Sequence, residues 1–287
     1  MRKSLSMVLL SALVAGVGGQ QCFSSDGTNT NDSGHYVGKS GIEAIRNFSP
    51  SVERMMKQQP VNDKFPVNAF FVYGCMGSGK GREIHALLQK LGNENVAILK
   101  AVLANVEMPP YTIARQDDDR DPVIIPATKI LTIDNIKEAI NGKPGAQTIV
   151  IDEVHFFSKA TAAALIGLVR QYPNKQFLLY GLKDDFADNV FEASQVLIEN
   201  ISSIEKVDSR ARCHCEKEAR HSTRIVVSSG KVSRATSGEQ MAASGVDGDT
   251  IYTPECSEHH NSSLPIDEAA YQKILLFDRK GKESKPD

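Results

Sequence analysis

The residues with the most chemical potential fall in two short runs. The first is Gly74-Cys75-Met76-Gly77-Ser78-Gly79-Lys80-Gly81. It follows an apolar stretch and opens an amphipathic one. Glycines there let successive backbone N–H groups turn towards a single anion, and a helix N-terminus adds partial positive charge. Lys80 supplies a point charge for the β- and γ-phosphates of a nucleotide. Gly81 stands where a phosphate loop of this type usually carries Ser or Thr, whose hydroxyl binds Mg²⁺. The alternative is a Gly-rich strand-to-helix turn with no ligand.

The second run is Thr148-Ile149-Val150-Ile151-Asp152-Glu153, an apolar strand ending in two carboxylates. Asp152 is placed to hold Mg²⁺, directly or through water. Glu153 would face the substrate, where a carboxylate accepts a proton from an attacking hydroxyl. On its own this would be an ordinary polar strand end. Downstream of a phosphate loop it becomes a catalytic pair.

A third group is metal-like. Cys213-His214-Cys215 and Cys256-Ser257-Glu258-His259 place thiolates and imidazoles in two clusters. That ligand set suits tetrahedral Zn²⁺. Cys213, Cys215, Cys256 and His259 are the expected ligands, with His214 and His260 as substitutes. Leftover free thiols are the competing reading. The five cysteines are unevenly spaced and do not form a disulfide framework.

Strands and helices must position these groups. Val67–Tyr73, Asn95–Leu103, Thr148–Asp152 and Phe177–Leu182 read as near-continuous apolar strands. Helices are expected from Ile84 to Leu91, from Asn135 to Ile140 behind Asp134 as N-cap, and from Ser158 to about Tyr172. Short helical turns fit 42–47 and 50–57. The alternation predicts an α/β fold, a mostly parallel sheet covered by helices on both faces. After about residue 205 apolar periodicity fades and Cys, His, Gly and Ser take over. Such a stretch has few means of building its own core, so a metal is a natural staple. A last helix is expected over 267–276. The expected organisation is a signal-like segment at 1–21, a linker at 22–65, a nucleotide-binding domain at 66–205, a small metal-stapled domain at 206–262 and a helix with a charged tail at 263–287.

Hydrophobic residues make up 41% of the 287 and charged residues 24%, which is ordinary for a globular chain. The net charge of −2 gives no basic field to draw nucleic acid. Arg2 and Lys3 before an apolar run and Gly18-Gly19 follow the recipe of an export signal. A membrane association would depend on that segment being kept.

The motifs and their order resemble the zinc-containing thymidine kinases. That family's phosphate loop reads Gly-Pro-Met-aromatic-Ser-Gly-Lys-Ser/Thr, and its acidic strand reads Ile-Asp-Glu-x-Gln-Phe-Phe. This chain has Ile151-Asp152-Glu153-Val154-His155-Phe156-Phe157. Asp118-Asp119-Arg120, Gly181-Leu182-Lys183-Asp184-Asp185-Phe186 with Phe191, Cys215 with Ala219 and Arg224, Ser237-Gly238-Glu239-Gln240, and Tyr252-Thr253-Pro254-Glu255-Cys256 follow in the family's order. The resemblance spans about residues 67–262. It implies a P-loop sheet with a small zinc-stapled lasso domain, and γ-phosphate transfer from ATP to the 5′-hydroxyl of deoxythymidine or deoxyuridine. It implies Glu153 as general base, Lys80 as phosphate clamp, and ATP, Mg²⁺ and a structural Zn²⁺ as cofactors. Leu182, Phe186 (by stacking), Ser222, Tyr252 and the backbone near Gly245 would hold the nucleoside. A homotetramer in the cytoplasm is also implied, against the signal-like N-terminus.

Several positions depart from the family: Gly81, Lys183 for an acidic residue, His155 for Gln, Ala187 for Arg, and a Val123–Thr128 segment without the usual Ser and Arg. They leave open an impaired relative that binds nucleotide or a partner without turnover. A third reading is an unrelated P-loop ATPase carrying a zinc ribbon.

Overall fold

The computed structural model describes residues 65–66, 68–102, 111–112, 126–207, 211–228, 231–238, 240 and 250–282, with backbone alone from 276 onward. The signal-like segment, the linker with its two helical turns, Asp118–Arg120, Glu239 and Gly245 lie outside the described residues.

The main sheet contains β1 (Ala69–Tyr73), β2 (Val96–Ala101), β3 (Tyr111–Thr112), β4 (Pro126–Ile130), β5 (Thr148–Asp152), β6 (Gln176–Gly181) and β7 (Ser203–Lys206). Their spatial order is β3-β4-β2-β5-β6-β1-β7. All neighbours pair in parallel except β3, which runs antiparallel to β4. Helices α1 (Lys80–Leu91), α2 (Ile133–Gly142), α3 (Lys159–Gln171) and α4 (Glu192–Asn200) connect the strands.

Continuous apolar strands have a simple cause here. Side chains alternate across a strand. Ala69 and Phe71, Ile149 and Ile151, and Phe177 and Leu179 pack on one face with Ile136, Leu165 and Leu197 from α2, α3 and α4. Phe70 and Val72, Val150, and Leu178 and Tyr180 pack on the other face with Ile84 and Leu87 of α1. Both faces are covered, so neither set of positions tolerates polar residues. The parallel, doubly covered α/β architecture is as the sequence predicts.

Local departures are small. The N-cap of α2 is Thr132, not Asp134, and Thr132 and Asn135 form a reciprocal capping box. Ser158 caps α3 by accepting from the Thr161 N–H, as expected. Strands β3, β4 and β7 and helix α4 are additions to the elements read from sequence.

The later chain builds a core of its own, contrary to expectation. Strands β8 (His221–Ser228), β9 (Lys231–Arg234) and β10 (Thr250–Glu255) form an antiparallel sheet in the order β10-β8-β9. Helix α6 (Glu268–Lys282), longer than expected, packs against it. Ile225 and Ile251 meet Ile266, Ala270 and Ile274 in a small apolar cluster. The residues were too few and too far apart to register as periodicity. A single turn, α5 (Ser257–His260), follows β10.

Candidate active site and metal centre

Strand order brings the motifs together. β6 lies between β1 and β5, so the loop after β1, the carboxylates ending β5 and Leu182 after β6 all emerge at the same end of the sheet. Ligands in open α/β sheets bind outside these carboxyl ends.

The loop after β1 has the backbone a phosphate cradle needs. Gly77 (φ 68°) and Gly79 (φ 108°) occupy the left-handed region that favours glycine. No side chain caps the start of α1, which leaves its first N–H groups for an anion. Ser78 is buried, and its hydroxyl has no hydrogen-bond partner. Such an orphaned polar atom is costly unless a ligand meets it. Lys80 Nζ donates to the carbonyls of Gly74 and Cys75, both at 3.0 Å. Gly81 falls in the first turn of α1 and brings no hydroxyl.

Asp152 ends β5, buried, with its Oδ2 4.0 Å from Lys100 Nζ on β2. Burial, helped by the neighbouring Glu153 charge, pushes its pKa up to about 7, against the opposing pull of Lys100 and Lys80. Glu153 turns into the left-handed region (φ 58°, ψ 35°). Burial disfavours its carboxylate too, but the charges of His155 (when protonated), Lys100 and Lys80 outweigh that and hold its pKa below the ordinary value. The adjacent carboxylates are thus driven apart, one towards the neutral form and one towards the ionised form.

His155 sits between Glu153 and the loop after β6. Its Nδ1 is 3.6 Å from Glu153 Oε2 and accepts the Leu182 N–H at 3.2 Å. Its ring packs against Phe156 and Phe191, and burial lowers its pKa to about 4. The imidazole is therefore neutral at physiological pH. Ser194 of α4 donates to the Leu182 carbonyl at 2.6 Å, so both backbone groups of Leu182 are fixed.

The remaining predicted substrate residues lie close by. Leu182 and Ser222 line one cavity of about 230 Å³ with Tyr73, Gly74 and Cys75. Phe186 is buried, and the Arg224 guanidinium stacks over its ring at 4.1 Å from the centroid. Tyr252 lies opposite Arg224 in the β8–β10 ladder. Its phenol pKa is raised, chiefly by burial. Ser222 Oγ accepts the Met76 N–H at 3.0 Å, which ties it to the phosphate loop.

The four predicted metal ligands converge. One ligand atom from each of Cys213, Cys215, Cys256 and His259 lies within 4.8 Å of the others. Cys215 Sγ and Cys256 Sγ are 3.8 Å apart, which matches the ~3.8 Å sulfur–sulfur edge of a tetrahedron with Zn–S bonds of about 2.3 Å. His259 Nδ1 lies 3.3 Å from Cys256 Sγ and 3.4 Å from Cys213 Sγ. Burial pushes the Cys213 thiol up to about 12. A bound cation is what would let it ionise in such a place. The donors fit Zn²⁺. Beside them, Arg234 makes a two-pronged ion pair with the fully buried Glu255 at 2.8 and 2.9 Å.

A family model described as thymidine kinase matches residues 68–260. The chain belongs to the thymidine kinase family. It is 30% identical over 195 residues to a thymidine kinase of Listeria monocytogenes serovar 1/2a, covering 67% of this chain and 95% of that one. It is 26% identical over 193 residues to the thymidine kinase of Enterobacteria phage T4, covering 67% and 94%. Among solved structures, a Pif1 helicase from Candida albicans aligns with 55% of this chain and 39% of its own, at 14% identity and a TM-score of 0.30.

Within this family frame, two positioning residues escaped the sequence reading. Lys100 was legible in principle, as a lone charge near the end of an apolar strand. Ser194 was not, because it acts on a backbone carbonyl brought near by the fold. Asp185, quoted above within the Gly181–Phe186 motif, shapes its own loop: its Oδ1 accepts from the N–H groups of Ala187 (2.8 Å) and Asn189 (2.9 Å). Among the described residues, no helix is long and apolar enough to cross a membrane.

Proposed function

We propose that the chain transfers the γ-phosphate of ATP to the 5′-hydroxyl of deoxythymidine, with Glu153 as general base. The observation that carries this reading is the placement of an ionised Glu153 at the same sheet end as the Lys80 loop and Leu182. The backbone N–H groups of residues 77–81 and the Lys80 ammonium hold the phosphates. Lys80 gives up its carbonyl partners to do so. Asp152 is the residue to hold Mg²⁺, which would neutralise charge between the phosphates and favour the Asp152 carboxylate over its acid. Glu153 takes the proton of the attacking hydroxyl as the phosphorus–oxygen bond forms.

The nucleoside occupies the cavity beside Leu182, Ser222 and Phe186, closed by Tyr252 and the backbone near Gly245. Arg224 covers Phe186, so base stacking on that ring requires the free face or a shift of the guanidinium. Cys213, Cys215, Cys256 and His259 hold a structural Zn²⁺ that shapes the segments around this cavity. The nucleotide-binding domain over 66–205 and the zinc domain over 206–262 then share the substrate between them.

A second reading, a relative that binds without turnover, is favoured by Gly81 and by Lys183, whose Nζ pairs with Asp184 at 3.2 Å. The deciding experiment is phosphate transfer from ATP-Mg²⁺ to labelled thymidine by the full chain, with Glu153→Gln alongside. Thymidine monophosphate from the wild type, lost in the variant, supports the kinase. No product from folded, zinc-loaded protein that still binds ATP supports the second reading.

A further inference from the structure

A second cluster of metal-type ligands stands apart from the cysteines. Asp188, in the loop after β6, meets His221 at the start of β8 and His260 at the end of α5. One ligand atom from each lies within 4.8 Å of the others. His221 Nδ1 is 2.9 Å from Asp188 Oδ1, and His260 Nε2 is 3.3 Å from Asp188 Oδ2.

We propose that Asp188, His221 and His260 form a second site for a divalent transition-metal ion of the Zn²⁺ class, which fastens the loop after β6 to the small lobe. Two imidazoles and a carboxylate are a ligand set such ions favour, and one that Mg²⁺ and Ca²⁺ do not.

The surroundings support this. Metal-bound histidines usually engage their other ring nitrogen with an oxygen, which fixes ring orientation and tautomer. Both rings do so here. His221 Nε2 meets Ser257 Oγ at 3.0 Å, and His260 Nδ1 meets Thr223 Oγ1 at 2.8 Å. With both outer nitrogens donating to those hydroxyls, the inner nitrogens present lone pairs to a carboxylate. Only a cation reconciles three such acceptors. The alternative tautomers, with N–H groups donating to Asp188, give a plain hydrogen-bonded cluster.

Asp188 is also held ready. It adopts the left-handed conformation (φ 59°), and its N–H bonds to the Asp185 carbonyl at 3.3 Å. Its half-exposed side chain leaves an approach for the ion and for completing waters. The two rings are stacked, with centroids 4.3 Å apart and planes at 9°. Asp188 and His221 line the cavity that contains Leu182. An ion there would hold one wall of that cavity in place.

The test counts metal. The full chain is saturated with Zn²⁺, freed of excess in a weak metal buffer, and its zinc measured per chain. Two ions are expected in the wild type. Asp188→Asn and His221→Asn, on different elements, should each hold one. Exchange of the retained ion for Co²⁺ should give thiolate charge-transfer absorption, showing that the cysteine site is intact and the variant folded. Ser257→Ala should weaken the second ion by about 10–100-fold. One ion per saturated wild-type chain overturns the proposal and leaves a hydrogen-bonded cluster. So does a second ion that survives both substitutions.

Discussion

The Met76 backbone N–H donates to Ser222 Oγ at 3.0 Å, across the boundary between the large sheet and the small one. One residue earlier, the Cys75 thiol reaches the Ala219 carbonyl at 3.5 Å. The loop after β1 is therefore seated on the segment that runs from the candidate metal ligand Cys215 into β8. On the proposed zinc reading, its shape depends on a lobe stapled by that ion.

That dependence predicts a remote effect. Cys256→Ser, or removal of zinc by a chelator, should lower Tm and also weaken ATP binding, although Cys256 belongs to the metal cluster and not to the phosphate loop. Ser222→Ala should raise the KM for ATP several-fold, and Ser222→Thr, which keeps a hydroxyl, should not. ATP affinity unchanged in zinc-free folded protein would show that the two lobes act independently.

Asp152 carries a pH signature. Its folded pKa, about 7, lies above the ordinary value of 3.8 for an exposed aspartate. The folded state then binds more protons between those values, so this group's contribution is full below pH 3.8 and is lost as pH rises through 7. Asp152→Asn should therefore stabilise the fold at pH 8, by an amount on the order of a few kcal/mol, and much less at pH 4. Thermal melts of both proteins at the two pH values, without added Mg²⁺, provide the check. The same substitution should abolish phosphate transfer.

His155 works in the opposite direction. Its folded pKa of about 4 lies below the ordinary histidine value of 6.5, so the unfolded chain binds more protons in that window. Stability is full above pH 6.5 and is lost as pH falls towards 4. Replacing it with the family's residue, His155→Gln, should remove up to about 3 kcal/mol of acid destabilisation. The melting temperature of the variant should fall less between pH 7 and pH 4.5 than that of the wild type. Parallel curves would mean that burial does not keep the ring neutral.

The Arg234–Glu255 pair is buried and two-pronged. Arg234→Ala leaves a fully buried carboxylate with only the His214 ring, 3.7 Å away, beside it and should cost about 3–5 kcal/mol. Adding Glu255→Gln removes that charge and should recover part of the loss. A denaturant-unfolding cycle over the two single variants and the double variant measures this. Simple additivity would argue against the pair.

How much of this could be read in the residues follows from how each signal is carried. Phe70, Phe71, Val150 and Ile151 announced buried strands because both sheet faces are covered, and local sequence encodes that directly. The loop from Gly74 to Lys80 and the Asp152–Glu153 pair were legible for the same reason, being contiguous. The four residues that converge as candidate metal ligands were picked out by residue type. The small lobe was harder. Ile225, Ile251 and Ile274 share a core but sit far apart in the chain, in strands whose other faces are polar. Least visible were contacts that need the fold before they exist, such as Ser194 on the Leu182 carbonyl and Arg224 over Phe186. The roles assigned to Glu153, Lys80 and the nucleoside contacts rest on the kinase reading and its assay.

The backbone at Glu153 has a further meaning for anyone selecting variants of this chain. A glutamate with φ 58° sits where a side chain costs about 1–2 kcal/mol relative to glycine. Gly or Asn at this position would relax the turn after β5 while deleting the carboxylate. A library screened for heat resistance alone should therefore enrich replacements at position 153. With Glu153 as the proposed general base, it would harvest sturdier proteins with no chemistry left in them. Any directed evolution here needs turnover in the screen, because on that proposal durability and catalysis pull against each other at this residue.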